Sequence, residues 1–587
     1  MKARWLLISV LVAVSSRRAL PSSPKISPDL QSVDPDATVR VIVQYAQTPP
    51  ATNPGLISGL LNTTLNLVFN VVHAVVYTVS GSSLSTLAND PNVVYISPDR
   101  TLTGQLDYTA AAVNAGAAWR SKLTGAGIGV AVIDSGISSS PDLSVLGLLP
   151  RVVYTEDFTG GNGRDAYGHG THVAGIIGAN GVSSTCFGCT RSLVGIAPNS
   201  TLINLRVLDG NGQGSDSSVI KAIERAIALK QQYNIRVINL SLGRPIYESY
   251  RLDPLCQAVE AAWKAGIVVV AAAGNDGRDN SIGNNGYGTI EAPGNDPYVI
   301  TVGAMKAMGT FSRTDDLIAS YSSKGPSAID DIVKPDIVAP GNHVVSLLAP
   351  GSTLGVDPQN AVPLSYYQTT GGNTPSSKFL MLNGTSMATP VVSGAVADML
   401  QAQPALTPDQ VKARLMKTAY KSFPTSSTAV DSVTGQSFVS QYDILTIGAG
   451  YLDISAALAN KDLATGTAMS PTAYYDSNSG NAYLVYDPSS TWDDSGVYAG
   501  RAVGGTKGAW GTQTVWGTTV VDANKGIWAT KGAWASSSVS ASRILWGSSG
   551  VWASEGLWSA STNSATKGAW ASSGPSISDS DTNFSSQ

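Results

Sequence analysis

The sequence predicts an α/β protein built on a mostly parallel β-sheet between layers of helices. Between about residues 110 and 460, short β-rich apolar runs alternate with helical segments. The runs are apolar at nearly every position, which is typical of strands covered on both faces. A small α+β unit precedes this region, and a repetitive Trp-containing segment that favours β-structure follows it.

Nine predicted elements make up the alternating region, and their patterning assigns each one to strand or helix. In chain order they are a strand at 128–133, a helix at 170–179, a strand at 202–208, a helix at 217–232, a strand at 237–240, a helix at 254–265, a strand at 267–272, and helices at 386–401 and 408–420.

The small unit before this region spans residues 38–100. Its predicted elements are strands at 39–43, 71–80 and 93–96 and a short helix at 82–88, and His73 falls inside the second strand. The preceding segment, residues 17–37, is rich in Ser and Pro and is predicted to be a linker.

The first residues predict a secretory signal peptide. Lys2 and Arg4 precede a short apolar run at 5–14, and small residues follow at the position where signal peptidase cuts. We therefore expect residues 1–16 to be removed and the protein to be secreted and extracellular. The alternative is an ordinary buried segment. Residues 583–587 form no hydrophobic tail, so a membrane or lipid anchor is not expected.

Composition narrows the functional classes. A chain of 587 residues can form about three to five domain-sized pieces. Only 13% of the residues are charged, and the net charge is −4, so nucleic-acid binding through a basic surface is not expected. Three cysteines form too few disulfide bonds to stabilise a chain of this size, so the fold must depend on its hydrophobic core.

Tryptophan recurs with a fixed period beyond residue 461. The spacings between these residues are all multiples of six, and the segment ending at Trp510 recurs almost unchanged before Trp534 and Trp570. Because six is even, all the rings would face one side of a strand. The array predicts a repeat module that contacts glycans or cell wall, or one whose Trp rings form its own core.

Four histidines limit the choice of a general base. His169 and His172 lie together in the segment 168–175, where small residues leave room beside His169. His73 and His343 lie far from this segment in the chain. The double-His motif is therefore the strongest candidate for acid–base chemistry.

Two further motifs place a carboxylate and a hydroxyl beside helical or strand ends. Asp134 follows an apolar strand, and ligand sites gather at such strand ends. Ser386 lies between small residues at the start of an apolar helix, where free N–H groups favour a developing negative charge. Taken singly, Asp134 could be a turn residue and Ser386 a helix cap.

A fourth motif completes the set. Asn275 follows the strand at 267–272, and a side-chain amide is a neutral donor suited to an oxyanion. Gly-Asn alone usually marks a turn, but the chain order Asp, His, Asn, Ser is hard to reach by accident. The set predicts a nucleophilic serine activated by a histidine.

Together these motifs resemble the subtilisin-like serine peptidases, the subtilase family, over about residues 105–460. The resemblance implies a subtilisin-like three-layer fold, with Asp134 orienting the imidazole, His169 as general base and acid, Ser386 as nucleophile and Asn275 as oxyanion donor. It also implies that residues 38–104 are an inhibitory propeptide, cut between about 100 and 110, so that the enzyme is an autoprocessed zymogen acting on polypeptides.

The resemblance further implies which residues contact a substrate. One segment would pair with the substrate backbone, a second would form the opposite wall, and small residues would line the first specificity pocket. Such small apolar walls predict a preference for bulky apolar side chains over Lys or Arg. These residues are, respectively, Ser241, Leu242 and Gly243; Gly212; and Ala272, Ala273 and Gly274.

The chain also departs from the family pattern. No cofactor is required by this chemistry, but many relatives bind structural calcium, and Asp142 matches one ligand position, so a calcium ion is possible. Cys186 and Cys189 could form a local disulfide or remain free thiols, and Cys256 is predicted to be a buried free thiol. Extra length is expected in loops around 277–290 and 350–380.

Two other functions are alternatives to the peptidase interpretation. The first is a catalytically silent surface-binding or adhesion protein that keeps the fold, against which the intact motifs argue. The second is a serine esterase, but the Gly-x-Ser-x-Gly elbow of that class is absent around Ser386, and the chain order of the three residues differs.

Overall fold

The computed structural model describes residues 23–27, 30–31, 33–47, 64–69, 73–98, 107–145, 148–186, 188–281, 283–431, 434–476, 481–485, 497–498 and 520–522. The chain divides into two compact units, Met1–Thr103 and Gly104–Gln587. In the described part, no helix is long and apolar enough to cross a membrane. The predicted signal peptide and all Trp residues of the repeat array lie outside the described residues.

The first unit is a four-stranded antiparallel sheet with a short helix. Its elements are β1 (Thr38–Tyr45), β2 (Thr64–Phe69), β3 (Ala74–Ser80), α1 (Leu84–Ala88) and β4 (Val93–Pro98), and the strand order is β2-β3-β1-β4. The prediction that His73 lies within a strand is wrong. His73 has φ of 47°, which places it in a turn before β3, because a strand requires negative φ.

The second unit contains the other helices and strands of the described chain. Its helices are α2 (Asp107–Ala112), α3 (Ala115–Arg120), α4 (His169–Gly178), α5 (Asp216–Tyr233), α6 (Pro254–Lys264), α7 (Thr385–Ala402), α8 (Pro408–Thr418), α9 (Ile444–Ile447) and α10 (Ile454–Ala459). Its strands are β5 (Gly129–Asp134), β6 (Ser144–Val145), β7 (Leu149–Pro150), β8 (Val152–Asp157), β9 (Thr201–Arg206), β10 (Ile235–Leu240), β11 (Val268–Ala272), β12 (Ile300–Lys306), β13 (Leu317–Ile318), β14 (Ile337–Asn342), β15 (Val344–Leu347), β16 (Ala361–Pro363), β17 (Pro375–Leu382), β18 (Ser426–Val430), β19 (Ser437–Gln441), β20 (Thr472–Asp476), β21 (Asn481–Val485) and β22 (Val520–Asp522).

The central sheet of this unit has the predicted, mostly parallel arrangement. Its strand order is β13-β12-β11-β10-β5-β9-β8, with β14 also pairing with β12, and β13 alone is antiparallel to its neighbour. Helices flank the sheet: α5 packs with α6, and α4 packs with α7. Every residue of β5, β11 and β12 is buried, which explains why these segments read as continuous apolar runs.

The structure of the two segments expected to carry extra length was only partly predicted. The segment 350–380, expected to be a loop, contributes β16 and the start of β17, which pair with each other, and β17 also pairs with β15. The Gly, Pro and Ser content of this segment predicted a loop. The strands form nevertheless, because their pairing partners and not the local sequence stabilise them. In contrast, the described residues of 277–290 form turns without a helix or strand.

The compact unit extends past the predicted domain boundary at residue 460. Ala468, Ala473, Leu484 and Tyr498 belong to a hydrophobic cluster that includes residues of α8 and α9. The hydroxyl of Ser470 also accepts a 2.8 Å hydrogen bond from Nζ of the buried Lys412. Residues as far as 498 therefore contribute to the core of the second unit.

Candidate active site

Asp134 and His169 form a buried pair at one edge of the central sheet. Asp134 is the last residue of β5, and His169 is the first residue of α4. Oδ1 of Asp134 lies 2.8 Å from Nδ1 of His169, and both side chains have no solvent exposure. This geometry holds the imidazole by Nδ1 and leaves Nε2 without a hydrogen-bond partner among the described residues.

Burial and charge oppose each other at this imidazole. Burial lowers the pKa of His169, but the charge and hydrogen bond of Asp134, with the charge of Asp165, outweigh it and raise the pKa above its ordinary value.

His172, also fully buried, has a pKa shifted in the opposite direction. Burial and the neighbouring His169 lower the pKa of His172 to about 3, and its Nε2 lies 3.0 Å from the carbonyl oxygen of Val344.

Asp165 braces the start of α4, a role that the sequence analysis missed. Its buried carboxylate accepts hydrogen bonds from the N–H of Gly168 at 2.6 Å and of Thr171 at 2.8 Å. It also accepts one from Ser135, whose hydroxyl in turn accepts from the N–H of Gly170. An Asp four residues before His169 at a helix start is the signal that could have identified it.

Ser386 lies in the first turn of α7, near free N–H groups that favour negative charge. It is nearly fully buried, and its carbonyl oxygen accepts a 2.8 Å hydrogen bond from the hydroxyl of Ser241. Because α4 and α7 pack against each other, the helix that starts with His169 and the helix that carries Ser386 are neighbours.

Asn275 is tied to the same helix start. Its Oδ1 accepts from the N–H of Thr385 at 2.9 Å and from the Thr385 hydroxyl at 3.2 Å. The Thr385 hydroxyl also contacts the backbone of Gly274. Since the amide oxygen is occupied, the Asn275 NH₂ group remains as the donor. Thr385, which holds this orientation, was not identified from the sequence.

The predicted substrate-contacting segments follow adjacent strands. Ser241 to Gly243 follow β10, and Ala272 to Gly274 end or follow β11, so parallel pairing brings both segments to one sheet edge. Gly212 lies in the turn after β9 and packs on the ring of Tyr167, whose centroid is 6.5 Å from that of His169.

The surroundings of Asp142 do not fit a calcium ion. Asp142 is fully buried, and its carboxylate already accepts hydrogen bonds from the N–H of Ser183 and the hydroxyl of Ser140. The guanidinium of Arg151 donates to its carbonyl oxygen at 2.6 Å. Calcium needs six to eight oxygen ligands, and the described residues contain no cluster of three His, Cys, Asp or Glu side chains suited to a metal.

The cysteines adopt one of the two arrangements left open by the sequence. Cys186 and Cys189 form a disulfide. Cys256 is a buried free thiol on α6, as predicted. Burial raises the pKa of the Cys256 thiol, which makes it unreactive as a nucleophile.

Comparison with known proteins identifies relatives over this same region. The family model of the subtilase family, Peptidase_S8, matches residues 125–442. The chain is 37% identical over 349 residues to serine protease AprX of Bacillus subtilis (strain 168), covering 57% of this chain and 71% of the relative. It is 35% identical over 347 residues to subtilisin E of the same organism (58% and 74%) and 38% identical over 298 residues to subtilisin of Bacillus pumilus (50% and 85%).

Proposed function

Because the chain belongs to the subtilase family and is a serine-type endopeptidase, we propose that Asp134, His169 and Ser386 are its catalytic triad. The observation that carries this proposal is the buried 2.8 Å contact between Asp134 and His169. A carboxylate on Nδ1 fixes the tautomer whose Nε2 can accept a proton from a serine hydroxyl.

The proposed reaction is acyl transfer from a peptide bond. Ser386 Oγ attacks the peptide carbonyl while His169 Nε2 takes the hydroxyl proton. The tetrahedral oxyanion is stabilised by the Asn275 NH₂ group and by the N–H of Ser386 at the start of α7. His169 then protonates the leaving amine, and a water molecule activated by the same imidazole releases the acyl group.

We further propose that polypeptides are bound by backbone pairing. An extended substrate would lie along Ser241 to Gly243, with Gly212 on the opposite side, and its first specificity side chain would enter beside Ala272 to Gly274. Support comes from the position of these segments at the sheet edge that also holds Asp134 and Asn275. Edge pairing reads mainly backbone, so tolerance of many sequences is expected.

The remaining domain assignments are proposals about maturation and location. Residues 1–16 would be a signal peptide and 38–104 a propeptide that assists folding and inhibits the enzyme until it is cut. Within the predicted linker 17–37, Ile26 and Leu30 pack in the core of the first unit, so this part belongs with the propeptide. The protein would then be secreted. Of the region 461–587, the described residues up to 498 pack on the second unit, and the Trp-repeat module would follow them. The antiparallel sheet of the first unit, which folds around its own core, supports a separate propeptide domain.

Intact mass and N-terminal sequencing of the secreted protein, wild type beside Ser386→Ala, test the nucleophile and the processing together. We expect a new N-terminus between about 100 and 110 in the wild type alone. A Ser386→Ala protein with near wild-type peptidase activity would contradict the triad. Processing in both proteins would show maturation by another protease, and an unprocessed but active wild type would contradict the zymogen proposal.

A further inference from the structure

Glu291 lies between the two segments proposed to form the specificity pocket. Its backbone N–H donates to the carbonyl oxygen of Ala273 at 3.0 Å. The next residue, Ala292, exchanges two hydrogen bonds with Arg244, of 2.8 and 3.0 Å. Glu291 is thus fixed by backbone to the segment after β11, and its neighbour to the segment after β10.

Glycines on both segments give the Glu291 side chain its space. A methyl group added to Gly243 would overlap Oε2 of Glu291. One added to Gly274, which has φ of +106°, would lie 2.8 Å from Cγ and 3.0 Å from Cδ of the same side chain. The Glu291 side chain therefore extends between the α-carbons of Gly243 and Gly274.

The carboxylate of Glu291 is buried without a partner. The residue is 5% exposed, and no hydrogen bond or ion pair to its carboxylate exists within the described part of the chain. The charge of Asp276 acts on it as well, and that charge is also negative. The guanidinium of Arg244 is paired instead with Asp216 and Asp253. A buried carboxylate that is not paired is costly, so the group either takes up a proton or needs a ligand that supplies the missing cation.

On these grounds we propose that Glu291 is a specificity-determining residue that selects Lys or Arg as the substrate residue before the cleaved bond. The inference rests on the proposed function, and it replaces the expectation of an apolar preference, which considered only the small residues of the walls. A basic side chain entering between Gly243 and Gly274 would meet the Glu291 carboxylate and pair with it.

The proton balance of this pairing is simple. Burial and the nearby Asp276 charge raise the pKa of Glu291 well above its ordinary value. An arriving ammonium or guanidinium group stabilises the ionised carboxylate, and the displaced proton leaves to solvent. Since the empty site favours the neutral carboxyl, the isosteric Glu291→Gln variant is expected to fold.

The test compares kcat/KM on peptide p-nitroanilides that differ only in the residue before the cleaved bond: Arg, Lys, Phe, Leu or Glu. We expect wild type to favour Arg and Lys over Phe and Leu by about tenfold or more, and Glu291→Gln to reduce that ratio by about 10- to 100-fold. Glu224→Gln, which removes an exposed carboxylate of α5, is the matched control and should leave the ratio unchanged.

A second measurement needs no variant. Benzamidine, a cation, should inhibit the wild-type enzyme competitively and at least tenfold more strongly than neutral benzamide. Good cleavage after Phe or Leu, with no advantage for Arg or Lys, would overturn the specificity proposal while leaving the triad intact. If the enzyme cleaves none of the substrates and an organophosphorus serine reagent does not label Ser386, both the proposed function and this inference are overturned.

Discussion

The charge state of His169 sets the expected pH dependence. Only the neutral imidazole can accept the Ser386 proton, and Asp134 contributes to raising the pKa of His169 above its ordinary value. As the pH falls through that raised pKa, the base becomes protonated and kcat/KM is lost. The acid limb of a wild-type pH–kcat/KM profile should therefore lie above the ordinary histidine pKa.

Asp134→Asn separates this electrostatic role from simple packing. Removing the carboxylate should lower kcat by about 10⁴-fold, the size of effect known for subtilisin itself. It should also move the acid limb to lower pH, because a carboxylate that raises the pKa of His169 is gone. An unchanged acid limb in the variant would show that another group controls the profile.

At Asn275 the lost interaction belongs to the transition state. Asn275→Ala should reduce kcat by about 10²–10³-fold with KM nearly unchanged, as for the equivalent oxyanion donor of subtilisin. Steady-state kinetics on one p-nitroanilide substrate measures both constants. A rise in KM with constant kcat would assign Asn275 to substrate binding instead.

At the scale of elements, the first turn of α4 depends on Asp165. Asp165→Ala leaves the N–H groups of Gly168 and Thr171 without their acceptor. We expect the free energy of unfolding to fall by about 2–4 kcal/mol and kcat/KM to fall with it, because the turn that holds His169 loosens. Urea denaturation and kinetics measure the two effects.

Asp279→Ala provides the control for this variant. Asp279 lies in an exposed turn, and among the described residues its side chain accepts a hydrogen bond from the nearby N–H of Ser281 alone. Its loss should change stability by less than about 0.5 kcal/mol. Equal effects of the two substitutions would contradict the bracing role of Asp165.

At the scale of the whole molecule, a buried charge network joins α8 to the central sheet. Nζ of Lys412 contacts the carbonyl oxygens of Pro297 and Val299 at 2.7 and 3.0 Å and lies 3.3 Å from Oδ1 of Asp336. Asp336 also pairs with Lys334 at 2.7 Å. All three charged side chains are fully buried, and the two ammonium groups share the Asp336 carboxylate as their counter-charge.

Truncating this network should destabilise the enzyme without changing its chemistry. Lys412→Ala is expected to lower the free energy of unfolding by about 3–5 kcal/mol, because it leaves buried carbonyl oxygens and part of the Asp336 charge uncompensated. Thermal unfolding measures the loss. Active-site titration gives the concentration of folded enzyme, and kcat calculated with that concentration should equal the wild-type value. A lowered kcat would place the network in the catalytic machinery.

The sequence by itself determined the fold class and the four residues proposed for chemistry. Buried parallel strands are recognisable in the sequence as apolar runs. The four residues proposed for chemistry lie in short motifs, each of which can be recognised from consecutive residues: Asp134, His169, Asn275 and Ser386. The starts of α4 to α8 were predicted to within a residue, because small residues and caps mark them locally, whereas α1 begins two residues after its predicted start.

Only the tertiary structure decided which distant residues serve that site. Thr385 orients Asn275, Asp165 braces His169, and Glu291 reaches the space between Gly243 and Gly274. Asp165 is marked in the sequence only by its position before the start of α4. The Thr385 and Glu291 contacts leave no periodic or motif signal, because each depends on separate strand ends meeting at one sheet edge. For the same reason the strands within 350–380 and the network around Lys412 could not be read from the sequence: their stability comes from partners far along the chain.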